Sequence, residues 1–142
     1  MNDLFFSLYQ TYASRRGDGS AYALTDGRMY RTEAPARADM PYIVMSLISG
    51  TIARSFGDGN IEVARIQVDV FDRFRAPGSS TGNSGKRAGE IWEQLESLYE
   101  NATMPFLDGE FIQMKRDSMV QETIENDVIH LTCDWFLEQQ KA

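Results

Sequence analysis

PYIVMSLISGTIARSFGDGNIEVARIQVDVFDR, residues Pro41–Arg73, reads as two β-strands joined by a glycine-rich connection, with Gly57-Asp58-Gly59 as the turn. The second strand alternates. Ala64, Ile66, Val68 and Val70 fall on one face, and Arg65, Gln67, Asp69 and Phe71 on the other. Period-two alternation predicts one buried face and one that meets water or a partner. The first strand, Tyr42–Ile48, is apolar on both faces, as expected inside a sheet rather than at its edge. Strands this long need helices over their apolar face, and the chain supplies one on each side, at residues 2–16 and 84–101.

Upstream, Asn2 or Asp3 can cap the first helix, and Leu4, Phe5, Leu8 and Tyr12 form its apolar stripe. Arg15 and Arg16 suit its negative C-terminal end, and Gly17-Asp18-Gly19 stops it. The stretch to Asp39 reads as irregular, with a turn at Asp26-Gly27 and a short extended piece at Arg28–Arg31. Downstream, Ser84 can cap the second helix, in which Ala88, Ile91, Trp92, Leu95, Leu98 and Tyr99 recur at helical spacing. Pro105 ends that pattern and Asp108-Gly109 marks a turn. Two further strands follow, Phe111–Gln121 and Val128–Leu137, with Glu122–Asp127 (ETIEND) as the turn between them. On the last strand Ile129, Leu131, Cys133, Trp135 and Leu137 point one way, and His130, Thr132, Asp134 and Phe136 the other. The order αββαββ predicts an α+β fold: one mainly antiparallel four-stranded sheet with two helices packed on one face.

At 142 residues the chain is expected to form a single domain, 1–142, with a flexible Gly/Ser-rich loop at about 74–86. The single cysteine, Cys133, rules out an intramolecular disulfide and reads as a buried thiol. Residues 1–16 place their basic residues after the apolar part, the wrong order for a signal peptide, and no run is long enough to span a membrane. The protein is therefore expected in the cytosol when made. A net charge of −7 argues against a dedicated nucleic-acid binder, while an acidic surface would let DNA pass without sticking.

No catalytic constellation is visible. One histidine and one cysteine exclude His-rich and Cys-type metal sites, and no nucleophile elbow, Walker loop or dinucleotide fingerprint occurs. His130 and Asp134 share a strand face but lie about 13 Å apart along it, too far for a relay. Glu62, Asp69 and Asp72 are left as carboxylates that could meet His130 across the sheet. We expect no enzyme activity and no cofactor.

The outward face is more informative. Arg65, Gln67, Asp69 and Phe71 on one strand, with His130, Thr132, Asp134 and Phe136 on another, mix charge and aromatics as protein interfaces do. Arg73, Arg75, Lys86 and Arg87 cluster at the roots of the Gly/Ser-rich loop and extend this candidate subunit or partner interface. Glu90, Glu93, Glu96 and Glu100 form an acidic stripe on the second helix, read as a solvated face or the lining of an acidic lumen.

In their order and spacing, several short signatures resemble the tail-completion, or tail-terminator, proteins of long-tailed bacteriophages. Arg28-Met29-Tyr30 comes first, then Glu33-Ala34-Pro35 and Met40-Pro41-Tyr42-Ile43-Val44-Met45-Ser46-Leu47-Ile48. Arg65-Ile66-Gln67-Val68-Asp69-Val70-Phe71, the helix at 84–101 and a late strand pair follow. The likeness covers nearly the whole chain, and the departure is the loop at 76–85, longer than the family's link into the helix. It implies a structural virion protein of the tail or neck, assembled in the host cytoplasm. A homohexameric ring would terminate the tail tube and join it to the head connector, DNA passing through the lumen. The implied partners are other copies of the chain, the tail tube protein and connector or neck proteins, with no membrane. The alternatives are another neck or connector adaptor and, from a different class, a small monomeric enzyme or ligand-binding domain.

Overall fold

The computed structural model describes residues 2–54, 60–74, 85–100, 110–116 and 120–141. In chain order the elements are α1 (Asn2–Ala13), α2 (Ala21–Thr25), β1 (Met29–Arg31), β2 (Tyr42–Arg54) and β3 (Asn60–Arg73). They continue with α3 (Lys86–Glu100), β4 (Glu110–Arg116), β5 (Gln121–Glu125) and β6 (Val128–Lys141). One six-stranded sheet runs β1-β2-β3-β6-β4, and β5 also pairs with β6. β1 lies parallel to β2, and every other pairing is antiparallel. The α+β class holds and the sheet is mainly antiparallel, but it is six-stranded rather than four-stranded and mixed through its one parallel pair. Three described helices replace the expected two, so the order αββαββ is too simple.

Each difference has a local cause. α2 is five residues long, too short to show a helical stripe. It is made by Ser20, whose side chain accepts from the Ala23 N–H, and ended by Asp26 in the left-handed region. The extended piece expected at Arg28–Arg31 is β1, which pairs with Ile43–Met45. Glu122–Glu125, expected in a turn, belong to β5, whose five residues are all exposed. The turn is only Asn126-Asp127, both with positive φ (51° and 60°), as a tight type I′ hairpin requires.

The buried faces of β3 and β6 carry the residues that their alternation assigns to them. Ile66, Val68 and Val70 join Ile129, Leu131, Cys133, Trp135 and Leu137 in the core. α3 adds Ala88, Ile91, Trp92, Leu95, Leu98 and Tyr99, and α1 adds Leu4, Leu8 and Tyr12. Burying each large aliphatic side chain is worth about 1.5–3 kcal/mol. The Tyr99 hydroxyl donates to the Leu8 carbonyl at 2.8 Å, tying α3 to α1, and the Tyr12 and Thr25 hydroxyls bond to each other, tying α1 to α2. Burial pushes the Tyr12 hydroxyl up to about 12 and Tyr99 well above the usual tyrosine range, so both stay neutral. α1 ends at Ala13, whose carbonyl accepts from Arg16 Nε at 2.8 Å.

Gly57-Asp58-Gly59, Ser84, Pro105, Asp108-Gly109 and residues 75–84 of the Gly/Ser-rich loop lie outside the described residues. Among the described residues no helix is long and apolar enough to cross a membrane.

Candidate functional site

The outward residues of β3 and β6 face one another in register. Arg65 is opposite Phe136, Gln67 opposite Asp134, Asp69 opposite Thr132 and Phe71 opposite His130. Two side-chain networks result. At one end Arg65 Nε donates to Asp134 Oδ2 at 3.0 Å, and its guanidinium lies 5.5 Å from the Phe136 ring centre. At the other, His130 Nε2 lies 2.6 Å from Asp69 Oδ1, and Gln67 Nε2 donates to both Asp69 oxygens at 3.2 and 3.0 Å.

Of the carboxylates that could have met His130, Asp69 does so. It is only 5% exposed although it stands on the outward face. Burial pushes its carboxyl up, but the bonds to His130, Thr132 and Gln67 outweigh burial and hold it below the usual carboxylate range. Asp69 is thus ionised at neutral pH and can only accept, which assigns the proton of the shared bond to His130 Nε2. A carboxylate already holding three donors is a poor general base.

An aromatic row crosses four strands beside this network. His130 stacks on Phe71 (centroids 4.1 Å, interplanar 14°), Phe71 on Tyr42 (5.0 Å, 26°), and Tyr42 meets Tyr30 edge-on (5.8 Å, 68°). Sequence reading placed Phe71 and His130 on the face but missed Tyr30 and Tyr42. The missing signal is register: Tyr42 pairs with Phe71, which no single-strand pattern reveals. All four rings are half-buried.

The loop roots divide. Arg73 and Lys86 are exposed, and Lys86 Nζ sits 4.0 Å from Glu90 Oε1. Arg87 grips the fully buried Asp72 with two bonds, Nε to Oδ2 at 2.8 Å and Nη2 to Oδ1 at 2.6 Å. The same Oδ1 accepts from the Arg73 N–H at 2.8 Å. The Asp72 bonds hold the Arg87 guanidinium above its usual value. Arg87 therefore anchors the start of α3 to the end of β3. Arg75 lies outside the described residues. On α3, Glu90, Glu93 and Glu100 are exposed, while Glu96 accepts from Trp92 Nε1 at 2.9 Å and from Arg116 Nη1, joining α3 to β4.

A small pocket under α1 is lined by Leu4, Phe5, Leu8, Arg31, Met45 and neighbours, and an open groove beside Phe136 by Val63, Lys115, Arg116 and Glu138. His130 lines neither. Among the described residues no group of three or more His, Cys, Asp or Glu side chains could hold a metal ion.

No known protein family matches the sequence, and no curated protein matches it. Among solved structures, a chain of the virion of a native gene transfer agent particle is similar to it. The two share 16% identity and a TM-score of 0.64, over 92% of this chain and 91% of that one. At that identity, what the two chains share is a fold.

Proposed function

We propose that this chain is a structural protein of a phage-like virion, and specifically that it forms the ring that terminates a tail tube and joins it to the head connector. The observation that supports this reading is the likeness to a virion chain over nine-tenths of both molecules. The order of signatures along the chain favours the terminator over other virion parts.

The chemistry is compatible. A ring needs two different complementary patches on each subunit. Arg65, Gln67, Asp69, Phe71, His130 and Phe136 make one mixed aromatic and charged face, the composition that interfaces favour. The exposed Glu90, Glu93 and Glu100 can line a passage that repels phosphate. In this reading the protein assembles and does not catalyse.

Light scattering across a concentration series, with electron microscopy of the same samples, tests the reading. We expect a species near six times 16.1 kDa and closed rings of matching size. A chain that stays monomeric at every concentration, alone and with tail tubes added, would sink it.

A further inference from the structure

We propose that copies of this chain join edge to edge, the free edge of β2 over Ser46–Ala53 in one copy pairing antiparallel with β4 of the next. The inference rests on the ring reading above and specifies how the ring closes.

Four observations lead to it. First, β1 pairs with β2 only at Ile43–Met45; the last backbone bond is from the Thr32 N–H to the Met45 carbonyl, at 2.9 Å, and past it the Ser46 Oγ donates to the Thr32 carbonyl at 3.4 Å. Beyond it, no strand lies beside β2 among the described residues. Second, apart from a bulge between Leu47 and Ser49, this edge is unguarded. Ser46–Ala53 reads SLISGTIA, without a charge or a proline, whereas edges that stay single carry such residues to prevent pairing. Leu47 (42%) and Ile48 (50%) are two of the four large apolar side chains exposed among the described residues. A third, Ile124, lies on β5 at the opposite edge of the sheet.

Third, the geometry fits. β3 pairs its first residues both with the end of β2 and with the end of β6, and the end of β6 pairs with β4. The open part of β2 and β4 therefore lie at the same end of the sheet on opposite edges. Counting directions through β2, β3, β6 and β4, each antiparallel to the last, β2 and β4 run opposite ways. A second copy set beside the first in the same orientation brings β2 against β4 as an antiparallel pair, and β1 against β5 likewise.

Fourth, charge favours this arrangement. β1 ends in the exposed Arg31, preceded by Arg28, which already sits 3.6 Å from Asp26 and donates to the Pro41 carbonyl; the β5 hairpin carries the exposed Glu122, Glu125 and Asp127. Pairing unlike edges sets Arg31 of one copy against the carboxylates of the next, which favours the pair. The contact is therefore heterologous, using two different surfaces of each copy, the kind that closes into a ring.

The test is Ile48→Lys, which places a charge on the open edge at a position half-exposed in the single copy. Size by light scattering and amide hydrogen exchange of Ser46–Ala53 are read for both proteins. We expect the wild-type assembly to protect these amides at least tenfold over the dilute monomer. Ile48→Lys should remain folded by circular dichroism but run at monomer mass. A wild-type ring that Ile48→Lys leaves intact, with the β2 amides unprotected, overturns the edge pairing and leaves the ring reading standing. A species of twice the chain mass, paired through like edges, overturns the head-to-tail arrangement. A wild type that never assembles overturns both.

Discussion

Isolated in a sheet face and 5% exposed, a carboxylate should favour its neutral form, yet Asp69 stays charged because donors converge on it. Its folded-state pKa lies below the unfolded value, so its contribution to stability is complete above the ordinary carboxylate range and fades as pH falls through the folded value. Asp69→Asn should cost about 1.5–3 kcal/mol at pH 7, the range for hydrogen bonds to a charged group. The gap between wild type and variant should narrow below about pH 4. Urea midpoints measured from pH 7 to pH 2.5 check both, and curves that stay parallel would remove Asp69 as the cause. Arg87 and Asp72 make the second charged pair of consequence. Asp72 is fully buried while the Arg87 side chain is 41% exposed, so water still reaches one partner. Arg87→Ala should therefore cost about 2 kcal/mol, below the roughly 3–5 of a fully buried pair, because it strands a buried charge. In the same urea series, an unchanged midpoint would show that Asp72 finds another donor.

The same pair explains why α3 starts where it does, and Gly85 explains how the chain reaches it. Gly85 has φ +81°, and a Cβ there would stand 2.6 Å from Ile129 Cδ1, an atom of a side chain only 2% exposed. Gly85→Ala adds left-handed backbone strain to a steric clash, together about 2–4 kcal/mol. Removing the struck methyl with Ile129→Val should recover part of that loss, so the double variant should be more stable than the sum of the singles; additivity would place the cost in the backbone alone. Among elements, legibility tracked burial. α3, β3 and β6 each bury one face, and their stripes can be read directly from the sequence. β5 buries neither face, so its polar residues from Glu122 on look like a turn; α2 is too short to carry a period, and β1 is legible as a short extended piece but not as a strand beside β2. Within the candidate site the two rows of outward residues were legible for the same reason that the strands were. Which Asp meets His130, and that Tyr42 extends the aromatic row, depended on register between strands distant in sequence. No local pattern encodes that.

Among the described residues, the sheet has a covered and an uncovered side. Helices and core occupy one face of the sheet, while the other holds a mixed polar and aromatic surface and one edge that carries no guarding charge. A monomer that leaves such an edge open is at risk of pairing with any extended chain, so the edge makes sense where copies meet each other. This has a thermodynamic consequence that does not depend on which contacts close the assembly. If association involves only folded copies, it draws the folding equilibrium towards the native state by mass action, and the thermal midpoint rises with protein concentration. A 1 kcal/mol gain in stability shifts the midpoint of a domain this size by roughly 3–5 °C. Raising the concentration tenfold should therefore lift the wild-type Tm by a few degrees across any range in which copies associate. Scanning calorimetry of wild type and Ile48→Lys, each at two concentrations, separates the causes. A slope present in the wild type and absent in the variant ties assembly to the β2 edge. A slope in both ties it to another surface, of which the row Tyr30, Tyr42, Phe71 and His130 is the leading candidate. A flat line in both would mean that folding draws nothing from neighbouring copies, and the ring reading would lose its thermodynamic support.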